Sequence, residues 1–330
     1  MDKTLFTDLL QKKKLMLPPL SGYTDYPYRI LLSQFAPPFI TTEMVNARAV
    51  IENSASTFQR LQKEPGSHAR GVQLLGKNPE YMAKAALIIQ QLGFDYLDIN
   101  MGCTVRKVVT KGEGISLMKN EDLAQKIVQT VVEAVDIPVT VKLRAGVSKD
   151  SITVVSLSQK IQDAGASAIT VHGRTGEKKF YPTMNLDVIE NVVKSVDIPV
   201  IANGGIFSFH DAWHAVVSTG AVAVMPGRGL IGNPWLITEI IHGFSKKPFS
   251  SPSLQERKDM CMKHVTNTCT YYGERNGVCK MRKIVARYFP LARHLKDLKN
   301  DMQQAKSIED VIGIVHTISE LDDVLIYQRC

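Results

Sequence analysis

VEAVDIPV at residues 132–139 returns as VKSVDIPV at residues 193–200, 61 positions later. Each copy ends an amphipathic stretch, turns at Asp-Ile-Pro and enters an apolar, β-branched run: PVTVKLR at 138–144 and IPVIAN at 198–203. Proline at the start of a strand costs no ladder bond. A strand–helix–strand unit takes about 30 residues, so the copies lie two units apart. The same grammar recurs in GFDYL at 93, GASAI at 165 and GAVAV at 220, each a helix stop, a tight turn and the next strand. Outward from the repeat, strands are expected near 15–20, 38–44, 70–75, 95–100, 138–144, 167–172, 198–203 and 222–227. Amphipathic stretches at 79–92, 121–135, 151–164 and 209–218 fall between them. Continuous apolar runs suit strands covered on both faces of a parallel sheet. Eight strand–helix units within residues 1–245 predict a (β/α)8 TIM barrel, an α/β fold of about 250 residues. A doubly wound open sheet shares the local pattern, but no G-x-G-x-x-G follows the first strand.

The pattern changes after SKKPFSSPS at 245–253. Residues 254–272, 278–289, 290–299 and 306–318 read as helices with no further strand, so residues 246–330 are expected to form a small all-helical domain. Charge is concentrated there. Residues 246–299 hold 13 lysines and arginines against 4 carboxylates, whereas the whole chain of 330 residues carries a formal net charge of only +8. A basic stretch of this density predicts a polyanion partner or a solvated helix face.

Composition is that of an ordinary globular protein, 44% hydrophobic and 22% charged. No apolar run approaches the ~20 residues of a membrane helix, and MDKTLFTDLLQKKKLM lacks the layout of a signal peptide. The five cysteines, Cys103, Cys261, Cys269, Cys279 and Cys330, include no CxxC pair. A reduced, cytoplasmic protein without structural zinc is expected.

In a TIM barrel, chemistry gathers where the strands end. DYLDINMGC at 95–103 delivers Asn100 and then a lone thiol, Cys103, onto a glycine-rich loop. That is a place for a proton donor or nucleophile, although a lone cysteine is also often inert core. The other strand ends bring Pro19, Leu20 and Ser21, then Gln73, Lys142 with Arg144, His172 with Arg174, Asn203-Gly204-Gly205, and Gly227-Arg228. Glycine loops after the seventh and eighth strands are the usual phosphate site of the fold, and Arg228 adds a charged donor. A buried Lys142 could neutralise a developing anion or form a Schiff base, and Gln73 offers both a donor and an acceptor to a ring edge. Each of these residues also has a purely structural reading when taken alone.

Together they resemble one family. PPLSGYTDYPYR (18–29), EMVNARAV (43–50), QLLGKNPE (73–80), DINMGC (98–103), KGEGISLM (111–118), PVTVKLRAG (138–146), TVHGRTGEKKFY (170–181), PVIANGGI (199–206), PGRGLIGNPW (226–235) and MRKIVARYF (281–289) are similar, in order, to motifs of bacterial B-type tRNA-dihydrouridine synthases. The resemblance implies reduction of the C5–C6 bond of selected tRNA uridines, with bound FMN recharged by NADPH or NADH. It implies Cys103 as proton donor to C5 and Asn100 on the flipped-out base. Pro19, Leu20, Ser21 and Gln73 would lie around the flavin ring, and Lys142 at its N1/O2 side. Asn203, Gly204, Gly205, Gly227 and Arg228 would hold ribityl and phosphate. His172 goes to the cofactor side, and Arg144, Arg174, Arg282 and Lys283 to the tRNA. tRNA is the expected partner, with no membrane and no metal, and a monomer is the expected state. Four positions depart from the family pattern: Thr104 for proline, Glu113 for a small residue, Leu186 for tryptophan, and Ile284 for histidine. Two competing expectations are a flavin barrel reducing a small molecule of the dihydroorotate or enoate type, and a non-catalytic RNA-binding homologue.

Overall fold

The structure, a computed structural model, describes residues 1–177, 184–290 and 295–319. Residues 178–181 of the TVHGRTGEKKFY motif, residues 291–294 of the helix expected at 290–299, the end of the expected helical domain from 320, and Cys330 lie outside the described residues.

The chain folds as the repeat requires. Strands β1 (Phe39–Thr41), β2 (Val45–Asn46), β3 (Ala69–Leu75), β4 (Tyr96–Asn100), β5 (Val139–Arg144), β6 (Ala168–His172), β7 (Val200–Asn203) and β8 (Ala223–Met225) form one parallel sheet. The order is β1-β3-β4-β5-β6-β7-β8, with β2 as a second short partner of β3. The strand expected at 15–20 is reduced to a seam. Leu15 bridges Val224, the Met16 N–H donates to Val224 O at 3.0 Å, and the Leu17 N–H donates to Phe39 O at 3.1 Å. Pro18 and Pro19 have no N–H, so the ladder stops there. These few bonds join β8 to β1 and close the barrel.

Side chains alternate across the wall. Leu97 and Ile99 of β4, Val139, Val141 and Leu143 of β5, and Ile169 and Val171 of β6 face outward into the main core. That core is completed by helices including Pro79–Gln91, Glu121–Ala134, Val154–Asp163, Leu186–Ser195, Phe209–Thr219 and Leu236–Phe244. Asn78, Asn120 and Asn185 cap three of these helices by accepting a backbone N–H two or three positions into the helix. Each fully buried Val or Ile on their inner faces contributes about 1.5–3 kcal/mol of transfer free energy.

The barrel interior has an apolar floor and a polar top. A helix at Lys3–Lys13, which the sequence reading does not place, seats Phe6 and Leu10 in the floor against Phe39 and Tyr96. Tyr96 fills the lumen so closely that a Cβ on Gly71 would lie 2.1 Å from its ring; only glycine fits there. One strand position higher on the same inner face, the residues become Gln73, Asp98, Thr140 and Thr170.

Helices Leu254–Tyr272, Glu274–Met281, Val285–Tyr288, Leu295–Gln304 and Ile308–His316 follow and form a second core. The single helix expected at 278–289 is instead two. The break lets Ile284, Val285 and Tyr288 all enter this core, while Arg282 turns aside to donate twice to Ala305 O, at 2.7 and 3.2 Å. The helical part docks on the barrel through stacked rings. His264 lies on Tyr28 with centroids 4.5 Å apart, and its Nδ1 is 3.0 Å from the Tyr288 hydroxyl. The Tyr28 hydroxyl donates to Leu230 O, after β8.

Candidate active site

β4 carries the central residue outward. Its last residue, Asn100, points its side chain into the mouth, and its Oδ1 accepts the backbone N–H groups of Gly102 (3.2 Å) and Cys103 (3.0 Å). This Asx-type turn lifts Cys103 clear of the wall, where it is a half-buried free thiol. The loop beyond folds back beneath it: the Ile115 N–H donates to Cys103 O at 3.1 Å, and Gly114, at φ +61°, packs directly against the cysteine. Glu113, one of the departures from the family pattern, accepts from Asn46 Nδ2 at 3.3 Å and ties that loop to the end of β2.

A cleft of about 390 Å³ opens in front of Cys103. Pro19, Leu20 and Ser21 form one wall, and Gln73, Asn100 and Lys142 its base. Arg144, His172, Arg174, Asn203, Gly204, Gly205, Gly227 and Arg228 complete the far side. The cysteine and every residue expected around a cofactor thus share one cavity, as do Asn100, Arg144 and Arg174. Arg282 and Lys283 do not line it. Arg282 is spent on Ala305 O, and Lys283 is exposed, with its ammonium 4.1 Å from the centroid of Tyr23. Tyr23 follows Ser21 closely, so Lys283 stands just outside the rim.

The base of the cleft holds two polar chains. Lys142 Nζ donates to Asn203 Oδ1 at 2.7 Å, and Asn203 Nδ2 donates to Met225 O at 2.6 Å. Asn100 Nδ2 donates to Gln73 Oε1 at 2.8 Å, Gln73 Nε2 donates to Asp98 Oδ2 at 2.6 Å, and Thr140 Oγ1 lies 2.7 Å from Asp98 Oδ1. Burial raises the Asp98 pKa and lowers that of Lys142; Arg144 lowers Lys142 further, and the two buried groups partly offset each other. The far side is cationic. Burial first, and then Lys142, Arg144, Arg174 and Arg228, push His172 down to about 2, so the imidazole is neutral. Arg174 Nη1 can only donate across the 3.3 Å to His172 Nε2, which places the ring proton on Nδ1. Arg144 faces the cysteine loop and donates to Gly102 O at 2.8 Å.

The sequence reading missed Asp98 and Thr140. The available signal was parity: Asp98 shares a face with Asn100, and Thr140 with Lys142, each two positions before it on the strand. Met44, Val105, Ile206 and Phe207 also line the cleft and carry no distinguishing signal in sequence. Another cavity, of about 220 Å³, shares Ser21 with the first and is lined by Tyr26, Tyr271, Tyr272, Glu43 and Lys280, where barrel and helical part meet.

A family model described as dihydrouridine synthase matches residues 16–321. A Rickettsia conorii protein named "Probable tRNA-dihydrouridine synthase" is 36% identical over 309 residues, covering 92% of this chain and 93% of that one. A Synechocystis relative named "Probable tRNA-dihydrouridine synthase 1" is 38% identical over 300 residues, covering 88% and 84%. The Vibrio cholerae "tRNA-dihydrouridine synthase B" is 34% identical over 316 residues and covers 95% of each chain. A match across nearly the whole chain, barrel and helical part alike, makes it a member of the dihydrouridine synthase family.

Proposed function

We propose that this protein reduces the C5–C6 bond of specific uridines in tRNA to 5,6-dihydrouridine, in the cytoplasm, with FMN in the cleft and NADPH or NADH as the reductant. The observation that carries the reading is a free thiol, Cys103, at the rim of a cleft whose base and far side gather Lys142, Arg144, Arg174 and Arg228 around a neutral imidazole. Such a wall suits an anion.

The residues present fit FMN. Gly204 and Gly205 hold φ of +120° and +64°, and a Cβ at Gly204 would strike the His172 ring at 2.8 Å. A Cβ at Gly227 would meet nothing within 4 Å, so that backbone borders open space beside Arg228. These loops and Arg228 would hold the phosphate and ribityl chain. Pro19, Leu20 and Ser21 would flank the ring, Gln73 would meet its edge, and Lys142 would stand where reduction builds negative charge. Bound FMN supplies the hydride to C6.

The protein's own part is orientation and proton delivery. Asn100 Nδ2 gives one hydrogen to Gln73 and turns the other toward the Met44 sulfur at 3.8 Å, a weak acceptor that a uracil edge would displace. Cys103 Sγ gives its proton to C5, the part of a positioned general acid. Arg144 and Arg174 hold the nucleotide's phosphates. Residues 246–330, with their basic excess, form the domain that grips the tRNA backbone. A wide positive face has no use for a substrate as small as orotate.

Purified protein should be yellow and should oxidise NADPH with undermodified tRNA as acceptor, but not with orotate or enones. Cys103→Ala should keep its flavin and lose most uridine reduction, by 10²-fold or more for a proton donor. Full activity in that variant would overturn the assigned role; turnover of orotate or an enone would favour the small-molecule reading.

A further inference from the structure

We propose that Asp98 is a positioning residue for Cys103, acting through a hydrogen-bond chain whose direction is determined at both ends. The inference rests on the functional reading above for its meaning but not for its geometry. The chain begins at the cysteine. The backbone N–H groups of Gly102 and Cys103 can only donate, so the Asn100 atom facing them must be its oxygen. That turns Asn100 Nδ2 toward Gln73, which must present Oε1, at 2.8 Å. Gln73 then has Nε2 facing residue 98, at 2.6 Å. Residue 98 must therefore be an acceptor, and Asp98 is one.

Three features make this more than packing. Asp98, Gln73 and Asn100 are all buried, so a reversed link would bring two donors or two acceptors together without water to relieve them. The links join neighbouring strands in register, Gln73 beside Asp98 on β3 and β4, and Asp98 beside Thr140 on β4 and β5. The chain is thus anchored in the wall of the barrel while its free end holds the loop. The far end is also permissive. Thr140 Oγ1 lies 2.7 Å from Asp98 Oδ1 and 3.2 Å from Leu97 O. The threonine can donate to an ionised Asp98, or donate to Leu97 O while accepting from a protonated one. In both states Asp98 Oδ2 still accepts from Gln73. The position of the Cys103 loop is therefore insulated from the protonation of the buried carboxyl beneath it.

This arrangement tolerates asparagine at position 98, with its amide on Thr140 and its oxygen on Gln73, and does not tolerate alanine. The test compares Asp98→Asn and Asp98→Ala in the flavin-loaded protein, after circular dichroism and flavin content have shown both to be folded and loaded. The first readout is the rate of Cys103 alkylation by iodoacetamide, followed by peptide mass spectrometry. It needs no turnover, and so it separates failure of this proposal from failure of the functional one. Asp98→Ala should change that rate by tenfold or more, and Asp98→Asn should restore it to within about threefold of the parent. The second readout is tRNA reduction: Asp98→Ala should lose roughly 10²-fold in kcat, as about 1 Å of misplacement can, with KM little changed. Asp98→Asn should recover most of that loss. Unaltered alkylation in Asp98→Ala would overturn the proposal, as would equal losses in the two variants, which would mean that the charge of Asp98 matters and the direction of the chain does not. Should Asp98→Ala fail to fold, Gln73→Leu takes its place as the break in the chain, with the same alkylation result expected and the same result overturning the proposal.

Discussion

Cys103 is a residue whose place was legible and whose support was not. A thiol after an apolar strand and a polar exit marks the strand end of a barrel, and the structure puts it in the cleft with the other strand-end residues. What holds it there comes from residues distant in sequence, and no local pattern announces them. Gly114 is one. Its φ of +61° and the absence of a side chain let the returning loop lie on the cysteine; a Cβ there would sit 2.8 Å from Cys103 O and 3.0 Å from Cys103 Cβ. We expect Gly114→Ala to lower kcat for uridine reduction by about ten- to hundredfold through displacement of the thiol, with flavin content retained. Parent-like single-turnover rates would show that the loop has slack. Asp98 was hidden for a different reason. An aspartate inside DYLDIN reads as an interruption of a hydrophobic run until the pleat assigns it to the lumen, where polar partners from β3 and β5 await it.

Elements were read best where periodicity was uninterrupted. The expected strands at 70–75, 95–100, 138–144 and 167–172 match β3 to β6 within a residue or two, because continuous apolar runs bounded by turns leave few alternatives. The reading failed where tertiary contacts override local pattern: LMLPPL yields one bridge because proline ends its ladder, and the helix at 278–289 breaks where Arg282 turns to Ala305 O. The docking of helix Leu254–Tyr272 on helix Tyr26–Ser33 has a pH signature of its own. Burial pushes His264 down to about 3, below the ordinary value of 6.5. Above pH 6.5 neither folded nor unfolded chain holds the proton. Below it the unfolded chain binds a proton that the fold excludes, so stability falls by about 1.4 kcal/mol per pH unit until the folded value is reached. His264→Phe should cost about 1–3 kcal/mol at pH 7 through the Tyr288 hydroxyl it leaves unpaired, yet lose stability less steeply between pH 6 and 4. Urea midpoints across that range would show it, and parallel slopes would contradict it.

At the scale of the whole molecule, the division into a barrel and a basic helical part was visible as a change of period and of charge, since neither depends on detailed contacts. How individual cations are used was not visible, because adjacent residues leave the backbone in different directions. Arg282 and Lys283 illustrate this: one is drawn inward to a carbonyl, the other lies exposed over Tyr23 at the rim of the cleft. Lys283→Ala should weaken tRNA binding and reduce the salt dependence of log Kd by about one, the slope of a single phosphate contact. Arg282→Ala should act mainly on stability, by about 1–3 kcal/mol, for want of two donors to Ala305 O. Filter binding across a salt series, together with thermal melts, would separate the two; a Lys283→Ala slope identical to the parent's would remove that residue from the tRNA face.

The closing bridge between Leu15 and Val224 also governs how the molecule is born. Synthesis at about 5–20 residues per second leaves the first stave waiting on the order of 10–40 s before its mate has been made. Through that interval the seam segment at Leu15 offers an unmated edge, and Phe6 and Leu10 have no finished floor to enter. Nascent chains of this protein therefore pass through a stage in which the hoop stands open, and their need for protection is greatest just before the last stave leaves the ribosome.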